Sequence, residues 1–169
     1  TPNTSSAASD VYKRQREGCG PKVSGFSFDG IANAELNPLI REWLADCDGV
    51  IICPSNPFVS VDPLLHLDGF GEALKSLPVI AVSPIVGGIA IKGPAAKMMH
   101  ELNMPATALA VADHYQGLID GFVVDQTDAA LVEQFNVPTI STPSVMVTLQ
   151  DRIDLARTCV SFLASLSSN

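Results

Sequence analysis

The feature that most narrows the fold is an alternation along the chain. Short apolar runs of strand length, bounded by Gly and Pro, take turns with longer segments whose apolar residues recur at helical spacing. That rhythm is expected of βα units, so the fold class predicted is α/β, Rossmann-like, a mostly parallel sheet with flanking helices. Residues 23–28 read as a strand, 38–46 as a helix with Leu39, Ile40, Trp43 and Leu44 on one face, and 49–53 as a buried strand. The alternation continues with a helix over 70–76, a strand over 78–83, and helices over 94–102 and 107–115. A strand over 121–125, a helix over 128–135 opened by an Asp cap, and a short strand over 139–141 follow. The closing helix, 150–166, carries Ile153, Ala156, Val160 and Leu163 as its expected core stripe, and 165–169 reads as a frayed polar end. No internal repeat is visible.

Composition removes several classes of function. At 169 residues, 47% hydrophobic and 17% charged, the chain can bury one sizeable core and is not a disordered tail. Its net charge of -8 repels phosphodiester backbones and argues against nucleic acid as a partner. No apolar run approaches the roughly 20 residues of a membrane-spanning helix, so no membrane partner is expected. Cys19, Cys47, Cys53 and Cys159 form no CxxC pair, and three of them sit in apolar or helical contexts. Small buried hydrophobes in a reducing compartment are the expectation, and with them a cytoplasmic location. Residues 1–15 are Ser/Thr/Ala-rich and lack periodicity, and DVYKRQ at 10–15 resembles the translation of a transposon-end adapter. The segment is expected to be an artefact, with the folded part at 16–169.

In an open α/β sheet, ligands lie beyond the carboxyl ends of the strands, and two loops there carry chemistry. After the strand ending at Cys53 comes Pro54-Ser55-Asn56-Pro57, with Ser60 and Asp62 close behind. Ser55 and Asn56 read equally as an Asx-type turn or as a recognition loop, since Asn offers a donor and an acceptor and the prolines fix its direction. After the strand ending at Ser83 comes Pro84-Ile85-Val86-Gly87-Gly88, then Ile89-Ala90-Ile91-Lys92-Gly93-Pro94. Gly87 and Gly88 permit positive φ and close backbone approach. Gly93 fits a helix cap, Pro94 the first helical position, and Lys92 adds a positive charge beside that helix end. A phosphate or diphosphate site is chemically sensible there; a simple connection is the alternative. The pattern is neither a Walker loop nor GxGxxG.

Other constellations are bland. His66, His100 and His114 share no metal-ligand spacing, and no GxSxG is present. Asp125 and Asp128 flank a strand end, where a cation is one reading and a helix cap plus a solvated carboxylate the simpler one.

Three blocks, ICPSNPFVSVDPLL, PVIAVSPIVGGIAIKGPAAKMM and ALAVADHYQGLIDGFVVDQTDAA, in this order and spacing, resemble the 2-phospho-L-lactate transferases of coenzyme F(420) biosynthesis. The resemblance runs from about residue 23 to 163. It implies transfer of a 2-phospholactyl group, or its phosphoenolpyruvyl counterpart, from a guanosine diphosphate-linked donor to a hydroxylated 5-deazariboflavin, the deazaflavin acceptor, with release of GMP and with Mg2+ as the metal. By this resemblance Lys92, Gly87, Gly88 and Gly93 hold diphosphate oxygens, Ser55 and Asn56 contact the guanosine diphosphate, and Ser60 and Ser83 support that pocket. His114 and Tyr115 are structural or pocket-lining. Family members are nearly twice this length, and their metal, deazaflavin and catalytic residues lie in an amino-terminal half that has no counterpart in this chain. The expectation is therefore an incomplete, carboxyl-terminal part of a single α/β transferase domain, inactive alone, with no metal ligands of its own. Bare strand edges make a homodimer an expectation too. A non-catalytic nucleotide-sugar-binding regulator of the same architecture and a generic α/β interaction domain are the alternatives.

Overall fold

The computed structural model describes residues 22–91 and 93–166. Its centre is a four-stranded, wholly parallel sheet. The strands are β1 (Val50–Ile52), β2 (Val79–Val82), β5 (Gly121–Asp125) and β6 (Thr139–Thr142), in the order β1-β2-β5-β6. Val50 pairs with Val79, Ile80 with Gly121 and Phe122 with Thr139. The two central strands are buried at every position, which is why VIAV and GFVVD are nearly unbroken apolar runs. A two-stranded hairpin, β3 (Ile85–Val86) and β4 (Ile89–Ala90), hangs from the carboxyl end of β2.

Period-2 alternation divides the core. Val79, Ala81, Phe122 and Val124 face one side, where they pack with Leu74, Met99, Val111 and Tyr115. Helices α1 (Pro38–Asp46), α2 (Asp62–Leu65), α3 (Phe70–Leu74), α4 (Ala95–Glu101) and α5 (Ala108–His114) account for most of the remaining regular structure before β5. Ile80, Val82 and Val123 face the other side, covered by the single long helix α6 (Leu149–Leu166) through Leu155, Cys159, Phe162, Leu163 and Leu166. Gly121 allows this close packing: a Cβ there would lie 2.8 Å from both Leu166 Cδ1 and Phe162 Cε1.

Several expectations need correction. Residues 23–28 form no strand; the segment is an extended strap, with buried Val23 donating its N–H to Glu101 Oε2 at 2.9 Å and Phe26 stacked on Phe58. Its apolar residues therefore record packing on the core rather than a ladder. Helix α1 has the bounds expected, with Asn37 Oδ1 accepting from Leu39 N–H and Pro38 opening it. Its expected inward face is split, because Leu44 packs on the core while Trp43 is 69% exposed and Leu39 55%. The stripe of α6 is rotated from the one expected: Leu163 belongs to it, but Ala156 and Val160 face solvent, and Leu155 and Cys159 are the buried positions. That helix continues through Ser165 and Leu166 instead of fraying at 165. Pro94 is the cap of α4 and Ala95 its first residue, one position later than expected. The segment after β5 is a 3-10 helix, Gln126–Gln134, capped by Asp125. Of the cysteines, Cys159 is buried, Cys47 is half-buried and Cys53 is exposed, so the small-hydrophobe reading holds for Cys159 alone among them. Burial chiefly, with Cys53 nearby, pushes the Cys159 thiol up to about 11. Residues 1–21 and 167–169, the expected artefact and Cys19 among them, lie outside the described residues, as does Lys92.

Candidate functional site

At the carboxyl edge of the sheet the loops after β1, β2 and β6, with the hairpin region, enclose a cleft of about 170 Å³. From β1 come Pro54, Ser55 and Asn56, and from β2 Ser83 and Pro84. Val86 and Ile91 approach from the hairpin region, and Ser144, Val145 and Met146 follow β6. The cleft thus gathers three of the expected residues, Ser55, Asn56 and Ser83.

Their side chains differ in what they have left to offer. Asn56 caps the turn Pro57–Val61, its Oδ1 accepting from Phe58 N–H at 3.0 Å while its Nδ2 donates to Met98 Sδ at 3.2 Å. The Asx-turn reading is therefore realised, and one amide N–H of Asn56 is left over. Ser83, 2% exposed, donates from Oγ to Ile85 O at 2.8 Å and accepts from Ile85 N–H at 3.1 Å. Ser55 is half-buried, and among the described residues its hydroxyl has no hydrogen-bond partner.

The remaining expected residues stand outside the lining. Ser60 is exposed on the turn after Asn56. Gly87 and Gly88 form the two-residue turn between β3 and β4, with φ of 56° and 80°, the left-handed pair that a tight hairpin turn requires. The Gly87 N–H donates to Asp128 Oδ2 at 2.9 Å, so the amide expected to meet phosphate is engaged by a carboxylate. Asp128 is accordingly more than a solvated carboxylate. Gly93 has a φ of 71° and is exposed just before α4.

Sequence reasoning missed Ser144, Val145, Met146, Val86 and Ile91, and it undervalued Asp125. A single signal marked both Ser144 and Asp125: polar residues at or just past the carboxyl end of a strand, in GFVVD and in TISTPSVM. Asp125 is 3% exposed and fully engaged. Oδ1 accepts from Thr127 N–H at 2.9 Å and Thr127 Oγ1 at 2.7 Å; Oδ2 accepts from Ser144 N–H at 2.8 Å and Ser144 Oγ at 3.0 Å. Burial pushes this carboxyl up, but the bonds from Ser144 and Thr127 outweigh it and hold the group below the ordinary aspartate range. The cleft wall at Ser144 is thereby fastened to the end of a central strand.

A second polar cluster lies apart from the cleft lining. His114 Nε2 meets Asp62 Oδ1 at 2.8 Å, with the ring edge-on to Phe58 and Tyr115. Burial, with Asp62 adding to it, raises the Tyr115 hydroxyl above its ordinary range. Neither His114 nor Tyr115 lines the cleft. Among the described residues no group of three or more His, Cys, Asp or Glu side chains converges as a metal site. Asp125 has both oxygens filled by four donors, and Asp62 Oδ1 is paired with His114.

A model of the family described as 2-phospho-L-lactate transferase CofD matches residues 6–152. The chain belongs to the 2-phospho-L-lactate transferase family. A 2-phospho-L-lactate transferase of Methanosarcina barkeri is 40% identical over 110 residues, covering 65% of this chain and 36% of that protein. One from Methanococcoides burtonii is 36% identical over 149 residues, 86% of this chain and 49% of that protein. One from Methanocaldococcus jannaschii is 36% identical over 125 residues, 74% and 40% of the two chains. The chain thus spans about half or less of the length of these transferases. The family match contains every residue that lines the cleft. It starts at residue 6, within the segment expected to be an artefact, and stops at 152 near the start of α6, short of the expected 163. No helix among the described residues is long and apolar enough to cross a membrane.

Proposed function

We propose that the protein to which this chain belongs is a 2-phospho-L-lactate transferase of coenzyme F(420) biosynthesis. It moves a 2-phospholactyl group, or its phosphoenolpyruvyl counterpart, from a diphospho-guanosine donor to the terminal hydroxyl of a hydroxylated 5-deazariboflavin. The hydroxyl oxygen bonds to the phosphorus bearing the lactyl group and gives up its proton. The bond from that phosphorus to the bridging oxygen breaks, and GMP leaves with the oxygen. Alignment and charge neutralisation, not a covalent nucleophile, are what this displacement requires of a protein.

The observation that carries the reading is the cleft beyond the carboxyl ends of a parallel sheet, holding Ser55, Asn56 and Ser83, in a chain of this family. In the proposal these residues seat the nucleotide end of the donor. Lys92 and Gly93 follow cleft-lining Ile91 in the sequence and serve the diphosphate, with Ser60 and Gly88 as outer contacts. Gly87 contributes the turn and not its amide. Magnesium falls to residues other than those described. The thiols of Cys47, Cys53 and Cys159 are free, which suits a reaction in the cytoplasm.

Calorimetric titration of GDP into the chain, with a UDP-sugar as competitor, tests the reading. Selective GDP binding is the expected result, followed by GMP release on assay of the full-length protein with donor and deazaflavin. Preference for the UDP-sugar would make the protein a nucleotide-sugar-binding regulator instead.

A further inference from the structure

Asn56 enters the cleft lining from a turn that is wound more widely than an α-helix. Ser60 N–H donates to Asn56 O at 3.0 Å, and Asp62 N–H donates five residues back, to Pro57 O. Turns with that longer bond are rare and recur at functional sites. The two ends of this one are held differently. At its start, Asn56 Oδ1 accepts from Phe58 N–H at 3.0 Å. At its end, Asp62 Oδ1 accepts from His114 Nε2 at 2.8 Å, a residue 52 positions further on that closes α5. Between the two, Phe58 is 4% exposed, its ring edge-on to His114 and stacked on Phe26.

The bond between Asp62 and His114 is no solvated surface contact. Their side chains are 13% and 24% exposed, so water competes little for it, and its loss leaves a largely desolvated carboxylate without this partner. It also depends on how the turn is wound. Successive residues of an α-helix stand about 100° apart around its axis, so rewinding 57–61 to α-helical bonding swings Asp62 away from α5. The tie to α5 therefore favours the wide winding, and that winding sets the direction in which Asn56 leaves β1.

We infer that Asp62 and His114 are a positioning pair for Asn56: neither lines the cleft, but together they hold the turn Pro57–Val61 against α5 and so keep Asn56 in place for the donor. This rests on the donor binding of the proposed function, and it gives His114 a task beyond packing.

The test titrates GDP into the full chain, Asp62→Ala, Asn56→Ala and the double variant, and follows exchange of the Phe58 amide proton without ligand. Asp62→Ala is expected to bind GDP roughly fivefold more weakly, as one net hydrogen bond is lost from the binding-competent state, with faster Phe58 exchange. In the Asn56→Ala background the same change is expected to weaken GDP binding no further, because Asp62 acts through Asn56. Asp62→Asn keeps an oxygen for the His114 Nε2–H and is expected to restore both readouts. Thermal unfolding checks that the variants are folded. His114→Phe, which keeps a ring against Phe58 and has no donor, gives the same comparison if Asp62→Ala is not. GDP binding or Phe58 exchange left at the wild-type value, or a full additional loss in the Asn56→Ala background, overturns the positioning role while the transferase reading stands. If wild type does not bind GDP, the donor reading falls and Phe58 exchange alone decides: faster exchange in Asp62→Ala retains the pair as the holder of the turn, and unchanged exchange removes it.

Discussion

Asp125 fastens one wall of the site, at Ser144, to the sheet. It ends an otherwise apolar central strand, and its four accepted hydrogen bonds tie the start of Gln126–Gln134 and the loop at Ser144 to the sheet. Asp125→Ala leaves buried donors without partners and is expected to cost roughly 3 kcal/mol, measured by denaturant unfolding. The pH dependence has a definite sign. Because the folded-state pKa lies below the unfolded one, the contribution of Asp125 is fully present above the ordinary aspartate range of about 4 and is lost as pH falls through the folded value. Unfolding curves from pH 6 downward are expected to show stability falling with acid, and Asp125→Asn to flatten that slope. An unchanged slope in the variant would remove Asp125 as its source. The sequence allowed Asp125 to be read as a helix cap, and so it is. What could not be read was the bond to Ser144, nineteen residues away, because no local pattern links a strand end to a loop beyond the next strand.

At the scale of elements, strands were more legible than helix faces. The runs at 121–125 and 79–82 are buried on both sides, so unbroken apolarity marked them within a residue. Residues 23–28 carry apolar residues broken by Ser24, Gly25 and Ser27 and make no ladder, since apolar residues pack as well from a strap as from a strand. Helix α6 shows the converse: its bounds were clear, but several apolar residues fit more than one stripe, and only contact with Ile80, Val82 and Val123 selects Leu155 and Cys159. Two substitutions test its attachment. Gly121→Ala drives a methyl into Phe162 and Leu166 and is expected to lower stability by about 1–3 kcal/mol. Thr148→Ala removes the hydroxyl that accepts from Asp151 N–H at the start of the helix, at an expected cost of about 1 kcal/mol. Melting curves of the two variants check both values; wild-type stability in Gly121→Ala would mean that α6 sits farther from β5.

For the molecule as a whole, the sheet has two edges. Among the described residues β1 pairs only with β2 and β6 only with β5, and Trp43 and Leu39 of α1 are exposed. Such surfaces make self-association an expectation: sedimentation velocity should show it rising with concentration and weakening in Trp43→Glu, with little change in melting temperature. The site was legible to the extent that the rule for open α/β sheets could place it: Ser55, Asn56 and Ser83 came together because all three follow parallel strands. Gly87 and Gly88 read either as a ligand cradle or as a simple connection, because the residues that permit close backbone approach also make a hairpin turn, and the turn itself becomes visible only in the pairing of Ile85 with Ala90. The most direct measurement of the central claim is amide chemical-shift mapping on titration of GDP into the isotopically labelled chain. The account predicts that the largest shifts fall on Ser55, Asn56, Ser83, Val145 and Met146, around the cleft. Shifts concentrated instead at Asp62 and His114, or spread evenly over the surface, would contradict it.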